Sequence, residues 1–229
     1  MNYLLVVAHP DDEVLGAGAT IKKLTESANT VELCIMCANA DARAFRPTDK
    51  DLNSDLNASS EILGIGKIYE GSFRNIRMNN VDHIELVQFI EKAIIESQPD
   101  VIITHHAADV NNDHLHTSLA CQAAIRLFQR RNDIKPLKEL WFMESLSATD
   151  WVVNSAMNGF KPNTYVEVGK ERVDTKIKAL ATYRGVMRDF PHPRSAEVIF
   201  GLAATRGGES GCNYAEAFEC VMRRITECN

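Results

Sequence analysis

The sequence predicts an α/β protein: a three-layer, Rossmann-like fold with a mostly parallel sheet. Three observations support this fold class. Short apolar runs with the length of buried strands alternate with longer segments of helical periodicity, the alternation repeats four times from the N-terminus, and glycine or proline follows the helical segments. Strands and helices that alternate at this spacing form βαβ units, whose strands are parallel and whose crossovers are right-handed.

The first half of the chain contains the regular part of this pattern. Apolar runs predict strands at residues 3–8, 31–37, 67–69 and 101–104. Apolar residues at helical spacing predict helices at about 13–27, 50–63 and 81–97 between them, and a fourth helix at 113–131. Gly64 and Pro99 stand where such residues commonly end a helix.

The second half is less regular. It predicts strands near residues 140–143 and 164–168 and helices near 170–182, 195–204 and 214–226. With 229 residues, of which 45% are hydrophobic, the chain has enough apolar material for one sizeable core. No repeat or linker interrupts it, so we expect a single domain over residues 1–229.

The composition argues against two classes of partner. A net charge of -6 without long basic runs does not favour nucleic-acid binding, which relies on clustered Lys and Arg. No apolar stretch reaches the ~20 residues that span a bilayer, and no basic leader precedes the first apolar run. We therefore expect a cytoplasmic protein with neither nucleic-acid nor membrane partners, and the sequence leaves open whether it forms a homo-oligomer.

Two short motifs have alternative interpretations. Cys34 and Cys37 have the spacing of a redox or zinc pair, but they lie inside an apolar run and we interpret them as core thiols. Gly16 and Gly18 resemble part of a dinucleotide-binding loop. They lie well past the first strand and lack the third glycine, so close packing of a helix on the sheet explains them better.

A histidine and three acids follow the first strand directly, in the sequence His9-Pro-Asp-Asp-Glu13. Neighbouring carboxylates raise one another's pKa and destabilise the protein unless a cation lies among them. Asp11, Asp12 and Glu13 could also be ordinary first-turn acids of a helix. On a tight turn, however, His9 and Asp12 converge, and their imidazole and carboxylate suit zinc or a similar ion.

A second cluster follows the fourth strand, in the sequence Asp109-Val-Asn-Asn-Asp-His-Leu-His116. The carboxyl ends of parallel strands share one edge, where ligands bind in such folds. We choose His114 as the third ligand because the adjacent Asp113 can hydrogen-bond within the turn and help orient the site. His116 diverges from His114 on a helix and is left out. Two such clusters at one edge favour a metal site.

These residues resemble a known family. The segment Ala8-His-Pro-Asp-Asp-Glu13, with Thr104-His-His and Asp109-x-Asn-x-Asp-His114, is similar to the two metal motifs of the PIG-L/LmbE-type zinc-dependent N-deacetylases. Segments 192–195, 206–207 and 214–218 resemble that family's C-terminal region, so the likeness covers nearly the whole chain. It implies zinc, or another divalent ion such as Fe or Co, on His9, Asp12 and His114, with Asp11 as general base.

The resemblance also implies an activity. We expect zinc-dependent hydrolysis of an N-acyl amide, most simply N-acetyl, on an amino sugar or sugar conjugate, with water on the ion as the nucleophile. An N-formyl amino sugar or the amide of a thiol conjugate would be attacked in the same way. A non-catalytic protein that binds metal or sugar is the remaining alternative.

Other residues are candidates for contacts with the substrate. His192 lies between two prolines and is our candidate for the donor that stabilises the oxyanion. Arg43, Arg74 and Arg194 could grip an anionic or hydroxyl-rich substrate. Asn111 stands where several sugar-processing relatives have a histidine, and the loop at 72–75 lacks the aspartate with which many relatives contact the sugar.

Overall fold

A computed structural model describes residues 1–39, 47–153 and 159–225 and contains one seven-stranded sheet. Its strands are β1 (Asn2–Val7), β2 (Thr30–Ile35), β3 (Ile68–Glu70), β4 (Val101–His105), β5 (Glu139–Met143), β6 (Thr164–Glu167) and β7 (Ala215–Arg223). They lie in the order β3-β2-β1-β4-β5-β7-β6. β1 to β5 are parallel, and β7 is antiparallel to both of its neighbours. The predicted mostly parallel sheet is confirmed.

Helices cover both faces of the sheet. They are α1 (Asp12–Glu26), α2 (Asp49–Leu63), α3 (His83–Ser97), α4 (Asn112–Ala124), α5 (Lys170–Thr182) and α6 (Ala196–Ser210). Leu5 and Val7 of β1 belong to the apolar cluster that contains residues of α1, α2, α5 and α6. Leu4 and Val6 belong to the cluster that contains residues of α3 and α4. Successive strand residues point to opposite faces, so the three-layer prediction is confirmed.

The predicted helix at residues 214–226 is wrong. Residues 215–223 form β7, which inserts between β5 and β6. Ala, Glu and Met favour helices in isolation, but Phe218 is fully buried opposite Met143, and Cys220 pairs with Trp141. Pairing with two strands overrides the local preference. The predicted helix at 113–131 is also too long, because α4 ends at Ala124 and continues only as a 3₁₀ turn.

A buried ion pair bridges a break in α1. The backbone of Ala17 leaves helical geometry, with φ at -147°. Lys176 of α5 donates to the carbonyl of Leu15 before the break at 2.8 Å and to Glu216 of β7 at 2.6 Å. Glu216 in turn accepts the N–H groups of Ala19 and Thr20 beyond it. The pair satisfies backbone groups that the break would leave without partners.

The two alternative motifs have structural explanations. Gly16 lies inside α1, and a Cβ at this position would lie 2.2 Å from the sulfur of Met143. Cys34 and Cys37 are buried in one apolar cluster and form no disulfide with each other. Among the described residues, no helix is long and apolar enough to cross a membrane.

The strand order predicts a ligand-binding crevice at the carboxyl ends of β1 and β4. From β1 the chain proceeds outward to β2 and β3, and from β4 it proceeds to β5 on the other side. β1 and β4 are nevertheless neighbours, with Val6 paired to Thr104. The loops that leave their carboxyl ends diverge to opposite faces, and ligands bind at such a reversal of strand order.

At the opposite edge, Asp100 ties β1 to β4. Its carboxylate accepts the N–H of Asn2 at 2.9 Å and lies 3.0 Å and 3.2 Å from the ammonium groups of Lys135 and Lys138. Partial burial opposes ionisation, but these donors outweigh it and lower the pKa of Asp100 to about 2. The charged carboxylate therefore stabilises the fold.

We expect Asp100→Asn to lower the free energy of unfolding by about 1–3 kcal/mol at pH 7, since charge-assisted hydrogen bonds are lost. Because the folded pKa lies below the ordinary value, the difference from wild type is present above about pH 4 and shrinks as the pH falls towards 2. Urea unfolding at several pH values measures it. Asp133→Asn, which breaks an exposed pair with Arg131, is the control with a small expected effect. Equal losses in both variants would contradict the prediction.

Candidate active site

Three predicted ligands meet at the carboxyl ends of β1 and β4. His9 follows β1, Asp12 opens α1, and His114 lies in the first turn of α4. Asp12 Oδ2 is 3.3 Å from His9 Nδ1 and 3.3 Å from His114 Nε2. One ligand atom from each residue lies within 4.8 Å of the others, and all three side chains are buried.

The far nitrogen of each imidazole faces a carboxylate. His9 Nε2 is 3.0 Å from Asp113 Oδ2, and His114 Nδ1 is 2.9 Å from Asp109 Oδ2. Asp113, which we expect to help orient the site, contacts His9 rather than the adjacent His114, and Asp109 contacts His114. Asp113 also accepts backbone N–H groups of Ile76 and Met78, so it ties the loop before α3 to the ligand from β1. Paired carboxylates of this kind fix the ring orientation of histidine ligands.

His105, the last residue of β4, packs against the triad that His9, Asp12 and His114 form. Its ring stacks on that of His114 at a centroid distance of 3.9 Å and an interplanar angle of 16°. Its Nε2 accepts the N–H of Ala8 at 2.9 Å, which requires the proton to be on Nδ1. Burial and the neighbouring His114 lower the pKa of His105. His105 is therefore a neutral packing partner, and the sequence did not indicate this role.

The charges of the triad favour a bound cation. Burial opposes charge on Asp12, but the neighbouring His114 outweighs it and holds the pKa of Asp12 well below its usual range. Burial also disfavours a charged His114, yet Asp12 and Asp109 raise the pKa of that imidazole to about 10. The carboxylates thus stabilise positive charge here, which a metal would supply in exchange for the proton.

The geometry fits a divalent ion. Ligands at the usual zinc distances of about 2.0–2.2 Å in a tetrahedral arrangement are about 3.4 Å apart, close to the 3.3 Å spacings observed. Among the described residues, two further groups could hold an ion: His9 with Cys37 and Asp113, and His105 with Asp109 and His114. Cys37, Asp113, His105 and Asp109 do not line the cavity, whereas His9, Asp12 and His114 do. A catalytic ion needs that open side.

Asp11 has an unusual backbone conformation beside the triad. Its φ is 106°, which costs a residue with a side chain about 1–3 kcal/mol. Glu13 Oε2 accepts the N–H of Asp11 at 3.1 Å, and the hydroxyl of Tyr183 donates to Glu13 Oε1 at 2.6 Å. All three are buried. Burial raises the pKa of Glu13 to about 8, although Tyr183 favours its ionised form.

The triad opens into a cavity of about 520 Å³, within the usual range for ligand sites. Asn111, His192 and Arg194, which were predicted from the sequence, line it. Further lining residues that the sequence did not indicate are Asn75, Ile76, Ser147, Arg184, Gly185, Val186 and Arg188. Arg74 is exposed and is not among the lining residues, and Arg43 lies outside the described residues.

The three lining side chains that the sequence predicted as substrate contacts, Arg194, Asn111 and His192, have specific partners. Arg194 lies 3.5 Å from Asp11 Oδ2 and donates from Nε to Ser147 Oγ at 2.9 Å. Asn111 Oδ1 caps α4 by accepting the N–H of Asp113, so its amide NH₂ is the group left to donate. His192 Nδ1 accepts the N–H of Arg194 at 3.0 Å, which leaves the neutral ring with its proton on Nε2.

Comparisons with known proteins agree with this architecture. The sequence profile of the family described as PIG-L, GlcNAc-PI de-N-acetylase, matches residues 4–125. The chain is 24% identical over 236 residues to the diacetylchitobiose deacetylase of Thermococcus kodakarensis, covering 95% of this chain and 82% of that protein.

Two solved structures share the fold. The N,N'-diacetylchitobiose deacetylase of Pyrococcus horikoshii has a TM-score of 0.77 at 20% identity, covering 95% of this chain and 82% of that one. GalB, the 4-carboxy-2-hydroxymuconate hydratase of Pseudomonas putida KT2440, has a TM-score of 0.76 at 20% identity, covering 100% of both chains. The fold alone therefore does not separate hydrolysis from hydration.

We expect His114→Ala to abolish binding of zinc, because the ion would lose one of three protein ligands. The measurement is elemental analysis after incubation with zinc and dialysis, where wild type retains about one equivalent. His116→Ala removes a half-buried imidazole two residues further along α4, away from the lining of the cavity, and should retain the metal. Full loading of His114→Ala would exclude this histidine as a ligand.

Proposed function

Because the chain belongs to the PIG-L family of de-N-acetylases, we propose that it hydrolyses an N-acyl amide, most simply N-acetyl, on an amino sugar or sugar conjugate. The observation that carries the proposal is the triad His9, Asp12 and His114, open to a cavity that Asp11 also lines. The named substrate of the Thermococcus relative, an acetylated amino-sugar disaccharide, supports a sugar as the substrate class.

A divalent ion on His9 Nδ1, Asp12 Oδ2 and His114 Nε2 completes the proposed site. When bound, it acts as a Lewis acid that polarises the amide carbonyl and lowers the pKa of water to about 7. Zinc is the proposed ion, and a donor set of two imidazoles and one carboxylate also suits Fe or Co. Asp113 and Asp109 keep the two imidazoles in ligating orientation.

Asp11 is the proposed general base and later the general acid. Its carboxylate lines the cavity beside the triad, and the guanidinium of Arg194 at 3.5 Å favours the ionised form that accepts a proton. Asp11 takes a proton from the attacking water at a carboxylate oxygen and passes it to the departing amine nitrogen. The hydrogen bond from its N–H to Glu13 holds the strained backbone that aims this carboxylate.

Two donors serve the carbonyl oxygen as negative charge develops on it. His192 presents Nε2–H, since its Nδ1 is engaged by the backbone of Arg194. Asn111 presents its amide NH₂ from the start of α4, since its Oδ1 accepts the N–H of Asp113. Donors that are held in place before the reaction stabilise an oxyanion without reorganisation.

The test of this proposal is release of a primary amine. Zinc-loaded protein is incubated with N-acetyl and N-formyl amino sugars, free and nucleotide-linked, and the amine is measured with fluorescamine. A chelator should abolish release, and added zinc should restore it. A hydratase, a nucleotide-dependent oxidoreductase or a non-catalytic sugar-binding protein would release no amine, so a negative panel with metal-loaded protein counts against the proposal.

We expect Asp11→Asn to keep its zinc and to lose at least about a hundredfold in kcat, because asparagine cannot take the proton. Asparagine tolerates positive φ, so the backbone of the variant should be undisturbed. Asp12→Asn is the matched control, and it should instead lose the metal. If Asp11→Asn lost zinc and Asp12→Asn retained it, the roles of the two carboxylates would be reversed.

We expect Tyr183→Phe to lower kcat about three- to tenfold while KM and zinc content stay near wild type. The change removes the hydroxyl that holds Glu13, and through Glu13 the backbone of Asp11, but leaves the ring in the core. Tyr165→Phe removes a hydroxyl whose hydrogen bond to Glu209 is exposed to solvent, and it is the control. An unchanged kcat in Tyr183→Phe would show that Asp11 is positioned without this contact.

A further inference from the structure

Strained backbone is concentrated at the cavity into which the triad opens. Among the described residues other than glycine, those with positive φ are Asp11, Ala28, Ile76, Gln98 and Ser147. Gln98 caps the end of α3 and Ala28 follows the end of α1, where left-handed residues are common. Asp11, Ile76 and Ser147 instead line the cavity. Strain that persists at a cavity calls for a functional explanation.

Ile76 is the least expected of these three residues. Its φ is 58°, in the left-handed region that aspartate and asparagine tolerate but that a β-branched residue rarely adopts. A glycine would take this conformation without steric cost. The turn by itself therefore does not explain an isoleucine, and its side chain must be explained by what it contacts.

Hydrogen bonds to one carboxylate hold the loop that contains Ile76. The N–H of Ile76 donates to Asp113 Oδ2, and the N–H of Met78 donates to Asp113 Oδ1 at 3.1 Å. Asp113 Oδ2 also lies 3.0 Å from His9 Nε2. A single carboxylate oxygen thus joins Ile76 to a proposed metal ligand, which places this residue at the metal end of the cavity.

The side chain of Ile76 brings apolar surface to a polar cavity. Among the described lining residues, Ile76 and Val186 have purely apolar side chains, and apart from Gly185 the others carry polar or charged groups. Val186 is only 4% exposed, whereas Ile76 is 51% exposed. A ligand in the cavity can cover this apolar surface and gain the free energy of its burial.

The acyl group is the part of the proposed substrate that matches this side chain. In the proposed reaction, water is delivered to the amide carbon beside Asp11, and the alkyl part of the acyl group is bonded to that carbon. It therefore lies at the same end of the cavity as Ile76. The sugar on the other side of the amide nitrogen carries hydroxyl groups, which suit polar lining residues such as Asn75 and Ser147.

We propose that Ile76 contacts the acyl group of the substrate and limits its size, and that the loop before α3 accepts strained backbone to place this side chain there. The inference rests on the proposed function and deepens it, because it assigns acyl selectivity to one residue. A β-branched side chain is stiff, so it excludes a longer acyl chain more sharply than a flexible side chain would.

The strain is tested by thermal unfolding at saturating zinc, which needs no turnover. Glycine is less stable than alanine at an ordinary position and more stable where φ is positive. Ile76→Gly should therefore unfold about 2–4 °C above Ile76→Ala. Ile84 is the matched control, because it is 53% exposed and lies in α3, so Ile84→Gly should unfold below Ile84→Ala. Unfolding of Ile76→Gly below Ile76→Ala overturns the claim of strain.

Size selection is tested next, again without turnover, with the carboxylates that hydrolysis would release. Calorimetry on zinc-loaded protein compares the binding of acetate and butyrate. Ile76→Ala should improve the affinity for butyrate relative to acetate about tenfold, since two further methylene groups find room. Ile84→Ala, on a helix surface outside the lining of this cavity, should keep the wild-type ratio. An unchanged ratio in Ile76→Ala overturns the inference.

Amine release then distinguishes the two levels of the proposal. For N-butyrylglucosamine relative to N-acetylglucosamine, kcat/KM should rise about tenfold in Ile76→Ala and less in Ile76→Val, which is shorter by one methylene group. Amine release with an unchanged ratio in Ile76→Ala would leave the de-N-acylase function in place and overturn the inference. Improved binding of butyrate without amine release from any N-acyl sugar would overturn the function and leave Ile76 as a residue that selects ligands by size.

Discussion

The pairing of β1 with β4 is the constraint on which the site depends. These strands are neighbours in the sheet although about 95 residues separate them in the chain, and Val6 lies opposite Thr104. Because both strands end at the same height, His9 emerges beside the loop that leads to His114. The bond from the N–H of Ala8 to His105 Nε2 joins the two ends at that height. Slippage of one strand by a single residue would turn alternate side chains to the other face and separate the ligands.

Around the triad, the oxygens of the buried carboxylates Asp113 and Asp109 accept hydrogen bonds from backbone N–H groups and imidazoles. Asp113 accepts from Ile76, Met78 and His9, and Asp109 accepts from Asn111 and His114. A buried charge is tolerated only when its hydrogen-bonding capacity is used, so these contacts make the ligand geometry rigid as well as stable. In contrast, within the described part of the chain, His9 Nδ1 and His114 Nε2 share the Asp12 carboxylate as their polar partner. The hydrogen bonds around the triad therefore hold His9 Nδ1 and His114 Nε2 so that both face the same oxygen, Asp12 Oδ2.

The sequence predicted the alternating half of the fold and the triad, because both depend on local signals: periodicity of apolar residues and polar clusters at strand ends. It failed where distant contacts decide. Residues 215–223 have helical composition and become a strand because β5 and β6 have free edges there. The sequence did not show that the side chain of Asp113 crosses to His9, or that Asp109 is the partner of His114. Tyr183 and Arg188 carry no motif, and only the packing of α5 against α1 brings them near Asp11 and the cavity.

The boundary of the family match divides the site in two. Residues 4–125 contain His9, Asp12 and His114, the proposed metal ligands, and Asp11, the proposed general base. His192, Arg188 and Arg194 line the same cavity but lie beyond that boundary in the sequence. A hydratase with the same fold is consistent with such a division, since activating a water serves hydration and hydrolysis alike. Hydration and hydrolysis differ in the substrate atoms that the water attacks. The residues that line the cavity beyond the family match are therefore the place to look for the difference between the two reactions.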